Sequence, residues 1–103
     1  MSTYANSWTL VDSITTEGTS TSLQGVKSGY AKICLKDQIG GIRVNVYNKA
    51  DETLILNSVF IGNNSCLTFD ANPYMDSTNN NGIELLVVTT RTPISSYTLE
   101  LWD

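Results

Sequence analysis

Gly82-Ile83-Glu84-Leu85-Leu86-Val87-Val88-Thr89-Thr90 holds the longest apolar run of the chain and is rich in β-branched residues. The run is far short of the ~20 apolar residues of a membrane span and short for a buried helix, so it reads as a β-strand. Both of its faces are oily: Ile83, Leu85 and Val87 fall on one side, Leu86 and Val88 on the other. A strand of a two-layer sandwich normally alternates apolar with polar residues, because one face meets water. The second face of this strand therefore needs a cover. No segment shows a helical period, so the candidates are the chain's own N-terminal arm or a neighbouring subunit.

Outward from this strand the pattern is all β. On the C-terminal side, Arg91-Thr92-Pro93 marks a turn, and in 96–102 Tyr97, Leu99 and Leu101 alternate with Thr98, Glu100 and Trp102. On the N-terminal side, 70–82 is the longest loop signal. Before it, Leu67 and Phe69 point inward while Cys66 and Thr68 point outward. Gly62-Asn63-Asn64-Ser65 is a turn, and 53–61 has strand composition with its parity disturbed around Asn57-Ser58, which predicts a bulge or break. In 42–48, Ile42, Val44 and Val46 face inward and Arg43, Asn45 and Tyr47 outward, with turn chemistry at 48–51. In 30–36, Ala31, Ile33 and Leu35 form the apolar face. A short edge strand is expected over 23–26, an exposed loop over 15–22, a first strand over 8–14, and an extended arm over 1–7. Seven or eight short strands at near-regular spacing predict one antiparallel β-sandwich domain over 8–103, with a jelly-roll favoured over an immunoglobulin-like arrangement.

Composition narrows the function classes. At 103 residues there is room for one core. Charged residues make up 16%, and Thr, Ser and Asn take the polar positions, as on the hydroxyl-coated sheets of extracellular sandwiches, lectins, virion proteins and fibre subunits. A net charge of −4, with six dispersed basic residues, argues against nucleic acid and anionic membranes as partners. The chain has no histidine, which removes the commonest general base and metal ligand together. The start, Met1-Ser2-Thr3-Tyr4-Ala5-Asn6-Ser7-Trp8, has neither the basic region nor the apolar core of a secretory signal. The expectation is a chain whose leader has been removed, or one that leaves its cell by a different route.

No catalytic constellation is present: there is no nucleophile elbow, phosphate loop or dinucleotide fingerprint. Glu84 and Glu100 lie in strands that could be neighbours, yet they read as solvated acids of a sheet face rather than a glycosidase pair. The chain is expected not to be an enzyme and to need no cofactor. Asp70, Asn72, Asp76 and Asn79 supply oxygen ligands without the spacing of a calcium loop, so no metal site is assigned. Cys34 and Cys66 both fall on outward faces, which leaves an intrachain disulfide, two free thiols and an intersubunit bridge open. Trp8, Tyr30, Tyr47 and Trp102 fall on polar or mixed faces, where such residues serve sugar binding, protein interfaces or the wet rims of a core.

With the strands laid out, 28–102 resembles the bacterial endospore appendage fibre subunits. The resemblance is carried by Ser28-Gly29-Tyr30-Ala31-Lys32-Ile33, by 42–47, by Glu52-Thr53-Leu54-Ile55, by the turn and strand over 62–69, and by Tyr97-Thr98-Leu99-Glu100-Leu101. It implies a single jelly-roll domain behind an N-terminal connector, with subunits joined by sheet augmentation and connectors reaching into their neighbours. It also implies assembly on a cell or spore surface without a leader of the Sec type. The connector cysteines that cross-link that family have no counterpart in residues 1–8. The expected function is a self-assembling subunit of an extracellular fibre or appendage whose main partner is itself. Thr3, Tyr4 and Trp8 of the arm, together with Leu86, Val88 and Trp102, would form the assembly interface. The alternative is a small lectin-like or virion attachment module, with a glycan bound by the aromatic faces and the 70–82 loop.

Overall fold

The computed structural model describes residues 8–27, 29–75 and 83–103. It contains eight strands: β1 Leu10–Thr16, β2 Ser20–Val26, β3 Tyr30–Lys36, β4 Ile42–Asn48, β5 Thr53–Ile61, β6 Cys66–Asp70, β7 Ile83–Thr89 and β8 Tyr97–Trp102. The only helical element among the described residues is a single 3-10 turn, Asn72–Tyr74, started by Pro73. Two antiparallel four-stranded sheets result, ordered β1-β8-β3-β6 (sheet A) and β2-β7-β4-β5 (sheet B). Only the β4–β5 hairpin joins neighbours within a sheet; the other six connections pass from one sheet to the other.

Alternation explains why each strand sits where it does. Ala31, Ile33 and Leu35 of β3 and Leu99 and Leu101 of β8 project from sheet A into a layer shared with Val44 and Val46 of β4 and Leu85 and Val87 of β7. All nine are at most 1% exposed. Full burial of one such side chain contributes roughly 1.5–3 kcal/mol. The parity expected for β3, β4, β6, β7 and β8 is the parity found.

The hydroxyl-rich segment 15–22 departs from the expected loop. Thr15 and Thr16 belong to β1, and Ser20, Thr21 and Ser22 to β2; only the tight connection between them lies outside strands. Hydroxyl side chains are compatible with strands when they pair across the ladder. The Thr15 Oγ1 and Thr98 Oγ1 atoms, 2.8 Å apart, show this directly. The first strand accordingly begins at Leu10, although Thr9 still exchanges two backbone hydrogen bonds with Asp103.

β1 and β2 are edge strands of opposite sheets, and each carries a register shift, between Leu10 and Asp12 and between Gln24 and Val26. Asp12 Oδ2 accepts the Gln24 N–H at 2.8 Å, and Asp103 Oδ2 accepts the Lys27 N–H at 3.1 Å, lacing the two edges together. Gly25 permits this approach: its φ is +130°, and a Cβ there would lie 3.0 Å from Val11. The disturbed parity expected at Asn57-Ser58 appears as two register shifts along the β4–β5 ladder, with Ser58 at φ 53°. Asn45 Oδ1 accepts the Ser58 N–H and Arg43 Nη1 donates to the Ser58 carbonyl, so side chains of β4 hold the bulge.

Cys34 and Cys66 are direct cross-strand partners on the outer face of sheet A and form an intrachain disulfide. It spans 32 residues of chain, a loop whose closure is worth about 3–4 kcal/mol on the chain-entropy account. Replacing both cysteines by alanine is expected to lower unfolding stability by that order while preserving the β circular-dichroism spectrum. An unchanged denaturant midpoint would contradict the staple.

Tyr97 begins β8 almost wholly buried at 1% exposure, and its hydroxyl donates to the Gly18 carbonyl at 2.9 Å. Burial raises its pKa above the ordinary value of about 10. The neutral phenol is thus favoured by the fold, and its stabilisation is complete below about pH 10 and lost as pH rises further. Tyr97→Phe should flatten the alkaline fall in stability and cost about 1 kcal/mol at neutral pH through the orphaned carbonyl. Denaturant titrations at pH 7 and above pH 10 check this; an identical alkaline slope in the variant would exclude Tyr97 as its source.

Candidate functional site

The residues singled out from sequence divide between two outer faces. Thr3 and Tyr4 lie outside the described residues. Trp8 and Trp102 meet on the outer face of sheet A, where Lys32 lies directly across the ladder from Trp102. The Lys32 ammonium is 4.8 Å from one indole centroid and 5.3 Å from the other. Such cation–π contacts contribute about 0.5–1 kcal/mol each at exposed sites. They fix Trp8 against the sheet and turn both rings toward the lysine stem. Trp102 Nε1 also donates to Glu100 at 3.3 Å. The described beginning of the chain therefore runs along sheet A.

Leu86 and Val88 lie on the outer face of sheet B, on the opposite side of the sandwich. β7 is an interior strand, so both residues have flanking neighbours. Leu86 pairs with Ser22 and Tyr47, and Val88 with Ser20 and Asn45. These side chains leave Leu86 and Val88 half-buried rather than bare. Part of the cover demanded by the oily second face is thus supplied by the sheet itself. Tyr47 in turn pairs with Leu54 of β5, which is 44% exposed. An apolar row, Leu86–Tyr47–Leu54, crosses β7, β4 and β5 and ends at a sheet edge, since β5 has a strand partner on one side only among the described residues.

Leu54 was not legible as part of this row. It sits in the run Leu54-Ile55-Leu56, and a bulge there reverses the alternation: Leu54 faces out opposite Tyr47, whereas Leu56 faces in opposite Val46. The pairing of Leu54 with an outward Tyr became visible only with the register. Tyr30, 52% exposed, shares the outer face of sheet A with Trp8 and Trp102, whereas Tyr47 belongs to sheet B, so the four aromatics do not form one platform.

Glu84 and Glu100 are not neighbours, although their strands could have been adjacent, and each lies on an outer sheet face. β7 and β8 belong to different sheets, and the two carboxylates point from opposite outer faces. Glu84 is paired with Lys49 at 3.3 Å, both partly exposed, an arrangement worth little to stability. Two acids set back to back cannot flank a glycosidic bond. In the acidic loop, Asp70 Oδ1 accepts the Asn72 N–H and Asn72 Oδ1 accepts the Gly29 N–H. Asp70 thus serves as a turn residue and Asn72 ties the loop to the β2–β3 connection; Asp76 and Asn79 lie outside the described residues. Among the described residues no three Cys, Asp or Glu converge as a metal site, and no helix is long and apolar enough to cross a membrane.

No protein-family model, curated protein or solved structure matches this chain.

Proposed function

We propose that this chain is a non-enzymatic structural subunit that assembles with copies of itself into an extracellular fibre or surface appendage, by adding strands at a sheet edge. One observation carries the reading: the apolar row Leu86–Tyr47–Leu54 runs out to the free side of β5. A strand added there from a neighbouring copy would continue both the hydrogen-bonded ladder and the apolar row. An unprotected edge of this kind is a template for pairing unless something covers it. The edges on the other side of the sandwich differ, because β1 and β2 are bulged and laced together by Asp12 and Asp103.

The jelly-roll is the form of sandwich we propose, supported by strand order. In the immunoglobulin arrangement the first two strands are neighbours in one sheet. Here they lie in different sheets, and β1 pairs with β8. This order agrees with the jelly-roll that the family resemblance read from the sequence implies, and on the same reading residues 1–7 would be the arm that reaches a neighbour. The glycan-binding alternative has one observation in its favour, the Trp8–Lys32–Trp102 cluster beside exposed Tyr30. Its ring faces are engaged by the lysine, which leaves less stacking surface for a sugar. Retention on a sugar resin by a strict monomer would favour that reading.

Leu86→Lys separates assembly from folding. A half-buried leucine on an outer face contributes on the order of 1 kcal/mol to folding, so the variant should remain folded. Filaments or higher oligomers seen for the parent protein by negative-stain microscopy should be lost or strongly reduced. A parent that is monomeric at every concentration would overturn the subunit reading, and full assembly of the variant would remove sheet B's outer face from it.

A further inference from the structure

One end of the sandwich gathers the β1–β2, β3–β4, β5–β6 and β7–β8 connections, and there residues 38–43, Phe60 and residues 89–94 enclose an open cleft of about 460 Å³. Its rims carry Ile39 and Ile94, 80% and 78% exposed, and its wall carries Phe60, 53% exposed. Large apolar side chains presented at two loop tips mark a contact surface. So exposed a rim suits a protruding protein segment better than a small molecule, which is normally buried over most of its surface.

The cleft is built rigidly. Gln38, only 2% exposed, donates from Nε2 to the Ser95 carbonyl at 3.0 Å, and its Oε1 accepts the Ile94 N–H at 3.3 Å. Its own backbone N–H donates to Asn63 Oδ1 at 3.0 Å, so one residue ties three connections together. Gly41, at φ +73°, lets Phe60 lie against the backbone; a Cβ there would meet Phe60 Cζ at 2.6 Å. Loops fixed by the fold do not have to be ordered on binding.

The electrostatics select the occupant. Arg43 and Arg91 are the only arginines in a chain of net charge −4, and both line this cleft. Arg43 spends one N–H on the Ser58 carbonyl and stacks 5.7 Å from the Phe60 ring centroid. Among the described residues neither arginine is paired with a carboxylate, the one ion pair being Lys49–Glu84. A guanidinium fork suits a carboxylate better than any other side chain.

At the opposite end of the sandwich the β4–β5 turn presents the reverse chemistry. Glu52 is exposed, at φ +62°, next to Asp51; the turn's Lys49 is paired with Glu84, and Leu54 follows Glu52 two residues later. We propose that the cleft receives the β4–β5 turn of a second copy of this chain, with Arg91 and Arg43 engaging Glu52 and Ile39 and Ile94 closing over its apolar flank. This deepens, and rests on, the reading of the chain as a self-assembling subunit. Because cleft and turn are at opposite ends, the contact is heterologous and repeats into an open row rather than closing as a dimer.

Charge exchange tests it on the whole chain. Arg91→Glu and Glu52→Arg both alter exposed side chains, so each variant should keep the parental thermal midpoint. Alone, each should show end-to-end association weakened at least tenfold in sedimentation velocity and give no rows in negative stain. An equimolar mixture of the two should recover association, since each variant's cleft then matches the other's turn. Normal assembly of Arg91→Glu, or failure of the mixture to recover, overturns the cleft–turn contact. In the first case the subunit reading survives, because the parent and variant still assemble; a parent that never associates overturns both.

Discussion

Leu35 and Leu99 from one sheet and Leu85 and Val87 from the other occupy a single layer from which water is excluded, each at most 1% exposed. Strand positions, edge identities and the character of both outer faces follow from filling that layer. Because six of seven connections cross it, few strands find their partners locally, and the apolar layer has to specify the pairing at long range. β7 shows the consequence. Its Ile83, Leu85 and Val87 are committed to the layer, which sends Leu86 and Val88 outward whether or not anything waits there.

The two outer faces meet that constraint differently. On sheet A the Cys34–Cys66 bridge, the Lys32 contacts with two indoles and the paired threonines engage much of the outer face within the chain, while Tyr30 and Leu10 stay exposed. Sheet B is finished only in its centre, where β2 and β4 flank β7, and its apolar row runs to the β5 edge. On the proposed reading, the apolar row reaching the β5 edge sets the direction of lateral growth. On the same reading, Arg43, Arg91 and the exposed isoleucines at one end supply a second direction.

Much of this was legible where alternation is strict. Val44 and Val46, Leu99 and Leu101, and Ile33 and Leu35 declare their inward faces by period alone, and the outward placement of both cysteines followed from the same count. Where chemistry overrides period, the sequence misleads. Thr15, Thr16 and Ser20 to Ser22 look like loop, yet pairing across the ladder makes them strand. The bulges of β5 conceal the outward turn of Leu54. Partner choice left no local trace: nothing in Glu84 and Glu100 reveals that their strands lie in different sheets. Gln38 carries no local signal of its role, yet it is a buried clamp whose partners lie 25 and 57 residues away.

On the proposed reading, the outer side of β5 is left for another copy to complete. Hydrogen–deuterium exchange compared between dissociated and assembled protein addresses it at the level of single amides. The amides of β5 facing away from β4 should exchange quickly in the dissociated protein and become protected on assembly, while those of β7 and β4 should be protected in both. Equal exchange of the β5 amides in the two states would contradict it.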